Sequence, residues 1–264
     1  MPDYLFLFKV FLSFLIGGVF TAITLYAAER YGPRLGGVIA GLPSTTAVGL
    51  FFIGYTQTPE AASQAASLMP AAVGGSLLFV VVYVALCRKI GYKYSLLAAS
   101  IVWFTISLPL AYYRFENIYI ATLFFISVWL ITLRFMQGQV IDLKTPIKIG
   151  YTLRQKIARS SFSGAIVASA VVVSGIFSPL WGGALATFPA MFLGTFIILC
   201  RSYGREYSVA FAKNTPIGLF AVIPYLWGVH FLYPAYGLIA GTIISYILSF
   251  TSAYVVYAVL NQKK

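Results

Sequence analysis

The residues able to do chemistry in this 264-residue chain are few, and they gather beside two prolines. Pro43 is followed by Ser44, Thr45 and Thr46, three hydroxyls in a row within an apolar stretch. Proline inside a helix removes one backbone hydrogen bond and clashes with the carbonyl one turn back. In hydrocarbon the freed groups must find partners, so a broken helix survives only where it packs in protein or lines a cavity. A half-helix opening at Pro43 turns its first amide N–H groups towards the break. Three hydroxyls beside that positive end suit an anion or a polar solute. Pro189 repeats the break 146 residues later, with Ala190, Met191 and Phe192 where the hydroxyls stood. The other reading is a plain kink, with Gly36-Gly37 and Gly182-Gly183 there for close helix packing.

Lys213-Asn214-Thr215 is the most polar stretch inside an apolar run. Lys213 lies roughly 9 Å from the helix end at 1.5 Å per residue. It either snorkels to the headgroups or touches a substrate, and Asn214 and Thr215 either join it or bond a neighbouring helix. Glu60 and Glu206 are acids matched at the same 146-residue offset. At helix starts they complement the dipole, or they serve coupling of transport to an ion. No acid falls deep in an apolar run, which favours a facilitator or coupling through backbone carbonyls. Enzyme chemistry finds no support: there are no paired carboxylates, no metal-ligand cluster and no phosphate loop, and the single histidine, His230, ends an apolar run. We expect no cofactor and no metal. Cys87 and Cys200 are expected to be free thiols in a reducing compartment.

The elements that must position these residues are membrane helices. The chain is 60% hydrophobic and 9% charged, with a mean hydropathy of +0.89. About 25% charged residues is usual for a water-exposed surface. The apolar runs are continuous and of spanning length, which excludes a β-barrel. Nine spans are predicted: roughly 4–28, 33–55, 68–87, 94–113, 117–136, 160–178, 181–200, 207–230 and 236–260. The first is long for a signal-peptide core and lacks a basic lead, so it reads as a retained helix.

The net charge of +12 follows the positive-inside rule rather than marking nucleic-acid binding. With Arg88, Lys89 and Lys93 cytoplasmic, alternation places Arg30 and Arg34, the run Arg134–Arg159, Arg201 and Arg205, and Lys263-Lys264 on the same side. The N-terminus is then outside and the C-terminus cytoplasmic, in a cell (inner) membrane. The basic segment 138–159, with Lys144 and Lys148, is expected to lie near anionic headgroups.

The doubled pattern extends outward. Pro33-Arg34-Leu35-Gly36-Gly37 returns as Pro179-Leu180-Trp181-Gly182-Gly183, and eight of the 38 positions from Pro33 to Pro70 are identical at the offset of 146. Further on, Tyr94-Ser95-Leu96 resembles Tyr236-Gly237-Leu238. Two four-helix units follow, about 4–113 and 160–260, joined by a lone helix at 117–136 and a linker at 137–159. The odd helix inserts the second unit upside down, an inverted 4+1+4 plan common in secondary transporters. One transmembrane domain is expected, since neither unit buries its Gly-lined face alone.

Each unit resembles the GlpM-like family of small four-helix bacterial inner-membrane proteins. The resemblance rests on Gly183 to Pro189, then Glu206, then Val222-Ile223-Pro224-Tyr225. The first unit keeps Gly37, Pro43 and Glu60 and lacks the Pro-Tyr pair. It implies a fused two-unit membrane protein and no particular activity. The reading is an all-α polytopic bundle acting as a small-solute permease, its site between Pro43 and Pro189 and its solute polar or anionic. A non-transporting envelope scaffold and a lipid-handling protein are the alternatives.

Overall fold

The computed structural model describes residues 4–141 and 150–261. Asp142, Lys144, Lys148 and Lys263-Lys264 lie outside the described residues, as do the surroundings of Pro33, Arg34, Gly36 and Gly37. The described residues form ten helices, with short turns between most of them, and no strand. The helices are α1 (Tyr4–Gly41), α2 (Thr45–Thr56), α3 (Pro59–Ile90), α4 (Tyr92–Tyr112), α5 (Ile118–Gln137), α6 (Leu153–Ile176), α7 (Pro179–Ala186), α8 (Ala190–Ser202), α9 (Arg205–Phe220) and α10 (Val222–Asn261).

Helix starts follow local sequence. The Thr58 hydroxyl accepts from Ala61 N at 3.2 Å to cap α3, with Pro59 and Glu60 in the first turn and Arg88 and Lys89 in the last. Asn117 caps α5 through the Ile120 amide, and Thr152 and Gln155 form a reciprocal capping box at α6. Gly91 ends α3 with φ 82 and ψ 162. Gly237, 146 residues later, interrupts α10 with φ 75 and ψ 178. The offset of 146 thus continues through this glycine, whereas the sequence likeness of Tyr94 and Tyr236 runs at 142.

Among the described residues, eight stretches are long and apolar enough to cross a membrane. The eighth, Arg205–Val256, is 52 residues and takes in the predicted span 207–230 and most of 236–260, being split at Gly237. The first two predicted spans, 4–28 and 33–55, correspond to Tyr4–Ala27 and Val38–Thr56. Helix α1 is assigned through to Gly41, so it runs on past the charged boundary near Arg30, and the chain breaks at 42–44, around Pro43. Phe8, Phe11, Ile23, Leu123, Ile131, Ile239 and Ile247 are exposed along α1, α5 and α10. So broad an apolar surface belongs in lipid, and the chain reads as a membrane protein.

Small residues set the packing. Helices α1 and α6 run antiparallel: Gly175 faces Phe6, and a methyl on Gly17 would stand 3.0 Å from Val167 Cγ2. The short α7 is wedged between α6 and α3, where a methyl on Gly182 would meet Ala170 O at 2.6 Å and one on Gly183 would meet Ala65 O at 2.7 Å. Close approach, the packing role considered for Gly182-Gly183, is what this pair provides. At one end of α3 the Ser63 hydroxyl donates to His230 O at 2.6 Å. At its other end Arg88 Nη2 meets Glu206 Oε2 at 2.6 Å. Helix α3 therefore runs antiparallel to the α9–α10 stretch up to His230.

Candidate solute site between the two helix breaks

Both breaks have the same backbone bonding. Leu42 N donates to Ile39 O (3.2 Å) and Ser44 N to Leu42 O (2.7 Å); Phe188 N donates to Leu185 O (3.0 Å) and Ala190 N to Phe188 O (2.7 Å). The second bond of each pair closes a three-residue turn with proline at its centre. Pro189, at φ −77 and ψ 48, lies near the inverse γ-turn. This corrects one detail of the sequence reading. Neither proline is the first helical residue: Pro43 precedes the N-cap Ser44, and Pro189 is itself the N-cap. The centre of such a turn needs φ near −75° and uses no N–H, which suits proline.

The two breaks meet across a cavity of about 40 Å³. Ser44, Thr45 and Thr46 line it from one side and Thr187, Phe188 and Pro189 from the other, with Ser76 of α3 between them. One water needs about 10–15 Å³, so this is space for about three waters or one small solute. Its hydroxyls mostly satisfy carbonyls freed where α7 ends. Thr46 Oγ1 donates to Ala186 O (3.4 Å), Ser76 Oγ to Thr187 O (2.9 Å) and Thr187 Oγ1 to Ala184 O (2.7 Å). The helix starts are treated differently. The Ser44 side chain makes no capping bond to α2, and Pro189 has none to offer α8. Two buried helix N-termini without side-chain caps bring positive potential to one small space.

Pro43 does not line the cavity; it shapes the turn, and its carbonyl accepts from Tyr246 OH at 3.2 Å. Lys213, Asn214 and Thr215 do not reach it either. Lys213 Nζ donates to Gln139 O (2.9 Å) beyond the end of α5, so the long amine points away from the breaks. Asn214 and Thr215 bond back to Ala210 O and Ala212 O, within their own helix. Glu206 pairs with Arg88 at the surface, and Glu60 stands exposed in the first turn of α3. Gly182 and Gly183 hold α7 in place from outside the cavity.

The sequence reading passed over Ser76, Thr187 and Tyr246. Thr187 sits inside the doubled pattern itself, two residues before Pro189, and a search for hydroxyls on both sides of each proline would have found it. Ser76 and Tyr246 carry no such local signal. Elsewhere, Cys87 and Cys200 are free, with their sulfurs 3.8 Å apart and the Tyr83 hydroxyl 3.0 Å from Cys200. His230 Nδ1 lies 2.9 Å from Ser63 O. Among the described residues no cluster of His, Cys, Asp or Glu is placed to hold a metal ion.

The GlpM-like resemblance finds only a coarser counterpart among known proteins. A family described as a protein of unknown function, DUF3147, matches residues 10–118, from within α1 to the first residue of α5. That description carries neither an activity nor the GlpM name. No curated protein and no solved structure matches the chain. What is similar to a known family is therefore residues 10–118, which hold most of α1 and all of α2 to α4.

Proposed function

We propose that the chain is a small-solute permease or facilitator of the cell membrane rather than an enzyme. Nine spans are arranged as two inverted four-helix units around a linker helix, with the N-terminus outside and the basic loops cytoplasmic. The observation that carries this is the polar cavity between two uncapped helix N-termini, one from each half of the chain. Antiparallel α3 and α9–α10, related by the offset of 146, support the inversion. Broken helices whose N-termini meet at a repeat interface are a recurrent way of binding a solute mid-membrane.

The cavity volume narrows the solute. About 40 Å³ suits a small monovalent anion or a compact hydroxylated molecule, and a larger polyol requires the breaks to part. Positive helix ends and donor hydroxyls favour the anion. The test is flux into proteoliposomes across a panel of small anions and neutral solutes, with Thr46→Phe as the blocked variant. A solute carried by the native chain and stopped by Thr46→Phe, with thermal stability kept, is the expected result. Equal flux in both proteins would remove the site from the breaks.

A further inference from the structure

A second site lies on the flank of the bundle, away from the breaks. Helices α6 and α8 enclose an open groove of about 550 Å³. Its wall is apolar, with Phe162, Leu193, Ile197 and Ile198, while Arg154, Arg159 and Arg201 stand at its basic end. Arg154 and Arg201 are exposed, whereas Arg159 is only 6% exposed.

Arg159 is the unusual member. Its Nη2 donates to Thr195 Oγ1 and reaches Met191 O at 3.5 Å, and its guanidinium lies 4.8 Å above the Tyr151 ring. Among the described residues, Nε and Nη1 have no hydrogen-bond partner. No carboxylate among them bonds it: Glu29 commits its oxygens to the Tyr151 amide and to Lys156 Nζ, the latter at 2.7 Å. Arginine keeps its proton in proteins, and a buried cation with two unmet donors is costly unless an anion approaches.

The other half of the chain offers a comparison. Between α1 and α2 a groove of about 180 Å³ is lined by Ile16, Phe20, Phe51 and Tyr246, with no cationic side chain. One repeat earlier, the positions of Arg154, Arg159 and Arg201 hold Leu7, Leu12 and Tyr55, at offsets of 147, 147 and 146. The architecture alone therefore does not call for arginine there.

We infer that the α6/α8 groove binds an anionic phospholipid, its phosphate among Arg154, Arg159 and Arg201 and an acyl chain along Phe162 and Ile197. The depth agrees with this. Arg159 is six residues inside α6, about 9 Å below its start, close to the headgroup boundary. Planar guanidinium groups match phosphate oxygens with paired hydrogen bonds. The apolar wall then distinguishes a lipid from free phosphate. A lipid seated there presses on α8, the half-helix that opens at Pro189, so occupancy bears on the position of one cavity wall.

The experiment is lipid binding to the full chain in detergent, read by native mass spectrometry and thermal shift. The probes are phosphatidylglycerol, phosphatidylcholine and inorganic phosphate. Phosphatidylglycerol is expected to bind and stabilise, with the other two much weaker. Arg154→Gln with Arg201→Gln, both at exposed positions, is expected to weaken phosphatidylglycerol about tenfold or more, since each charged hydrogen bond contributes on the order of a tenfold factor. Ile197→Trp fills the groove and is expected to expel the lipid with all three arginines intact. Equal retention of phosphatidylglycerol and phosphatidylcholine would overturn the inference, as would undiminished binding by both variants. Stabilisation by inorganic phosphate alone, at the same concentration, would assign the arginines to a soluble anion and also overturn it.

Discussion

Gly41, the last residue of α1, lies directly against Gly218 of α9: a methyl on Gly41 would stand 2.7 Å from the Gly218 carbonyl carbon and 2.6 Å from Leu219 N. Backbone, not side chain, is the obstacle, so a rotamer change cannot relieve it. Gly218→Ala is therefore expected to cost about 1–3 kcal/mol through overpacking. Denaturation of the purified protein in detergent measures it. An unchanged midpoint would mean that α1 and α9 separate more easily than their contact implies.

Ser76 completes the cavity from α3. Its hydroxyl satisfies the Thr187 carbonyl, freed because α7 stops one residue earlier. Ser76→Ala leaves that buried acceptor unmet at a cost of about 1–3 kcal/mol. The same change enlarges the cavity by little, so it is expected to lower stability more than flux. A variant as stable as the native chain would show that water replaces the hydroxyl.

The sulfurs of Cys87 and Cys200, 3.8 Å apart, join the end of α3 to the end of α8. Copper-phenanthroline oxidation is expected to close a disulfide, each thiol losing one hydrogen, and a reductant to reopen it. Maleimide counting on the denatured protein reports the change: two reactive thiols before oxidation, none after. Two thiols still reactive after oxidation would place these helix ends farther apart.

Opposite insertion of the two units is tested by the acids that the repeat matches. In a background of Cys87→Ala and Cys200→Ala, Glu60→Cys is expected to react with an impermeant maleimide on intact cells. Glu206→Cys, at a side chain 38% exposed, is expected to react only after the membrane is opened. Labelling of both from one side would end the inverted reading.

Much of this arrangement was legible because it is written in backbone chemistry. Proline and glycine act locally, so Pro43 and Pro189 marked both breaks independently of any neighbour, and the three hydroxyls after Pro43 were found lining the cavity. Lys213 was not legible in the same way. Its four-carbon stem reaches in several directions, and only the placement of Gln139 beyond α5 decides among them. Arg159 looked like one more base in a cytoplasmic run. Its burial depends on Thr195 and Tyr151, which the chain brings in from 36 residues after it and 8 before. Helix α1 runs on to Gly41 across the boundary between the first two spans, since charges near Glu29 and Arg30 mark a membrane boundary without marking a helix end.

The shortness of α2 and α8 has an electrical consequence. At 12 and 13 residues they extend about 18 and 20 Å from the cavity, little more than one leaflet each. On the proposed topology they point to opposite faces, so the breaks divide the transmembrane voltage into two comparable drops. A monovalent anion entering from either side then works against or with roughly half the field, about 1.2 kcal/mol for every 100 mV across the membrane. A neutral solute is indifferent to it. Current recorded across a planar bilayer therefore separates the two kinds of cargo even before the carried molecule is identified.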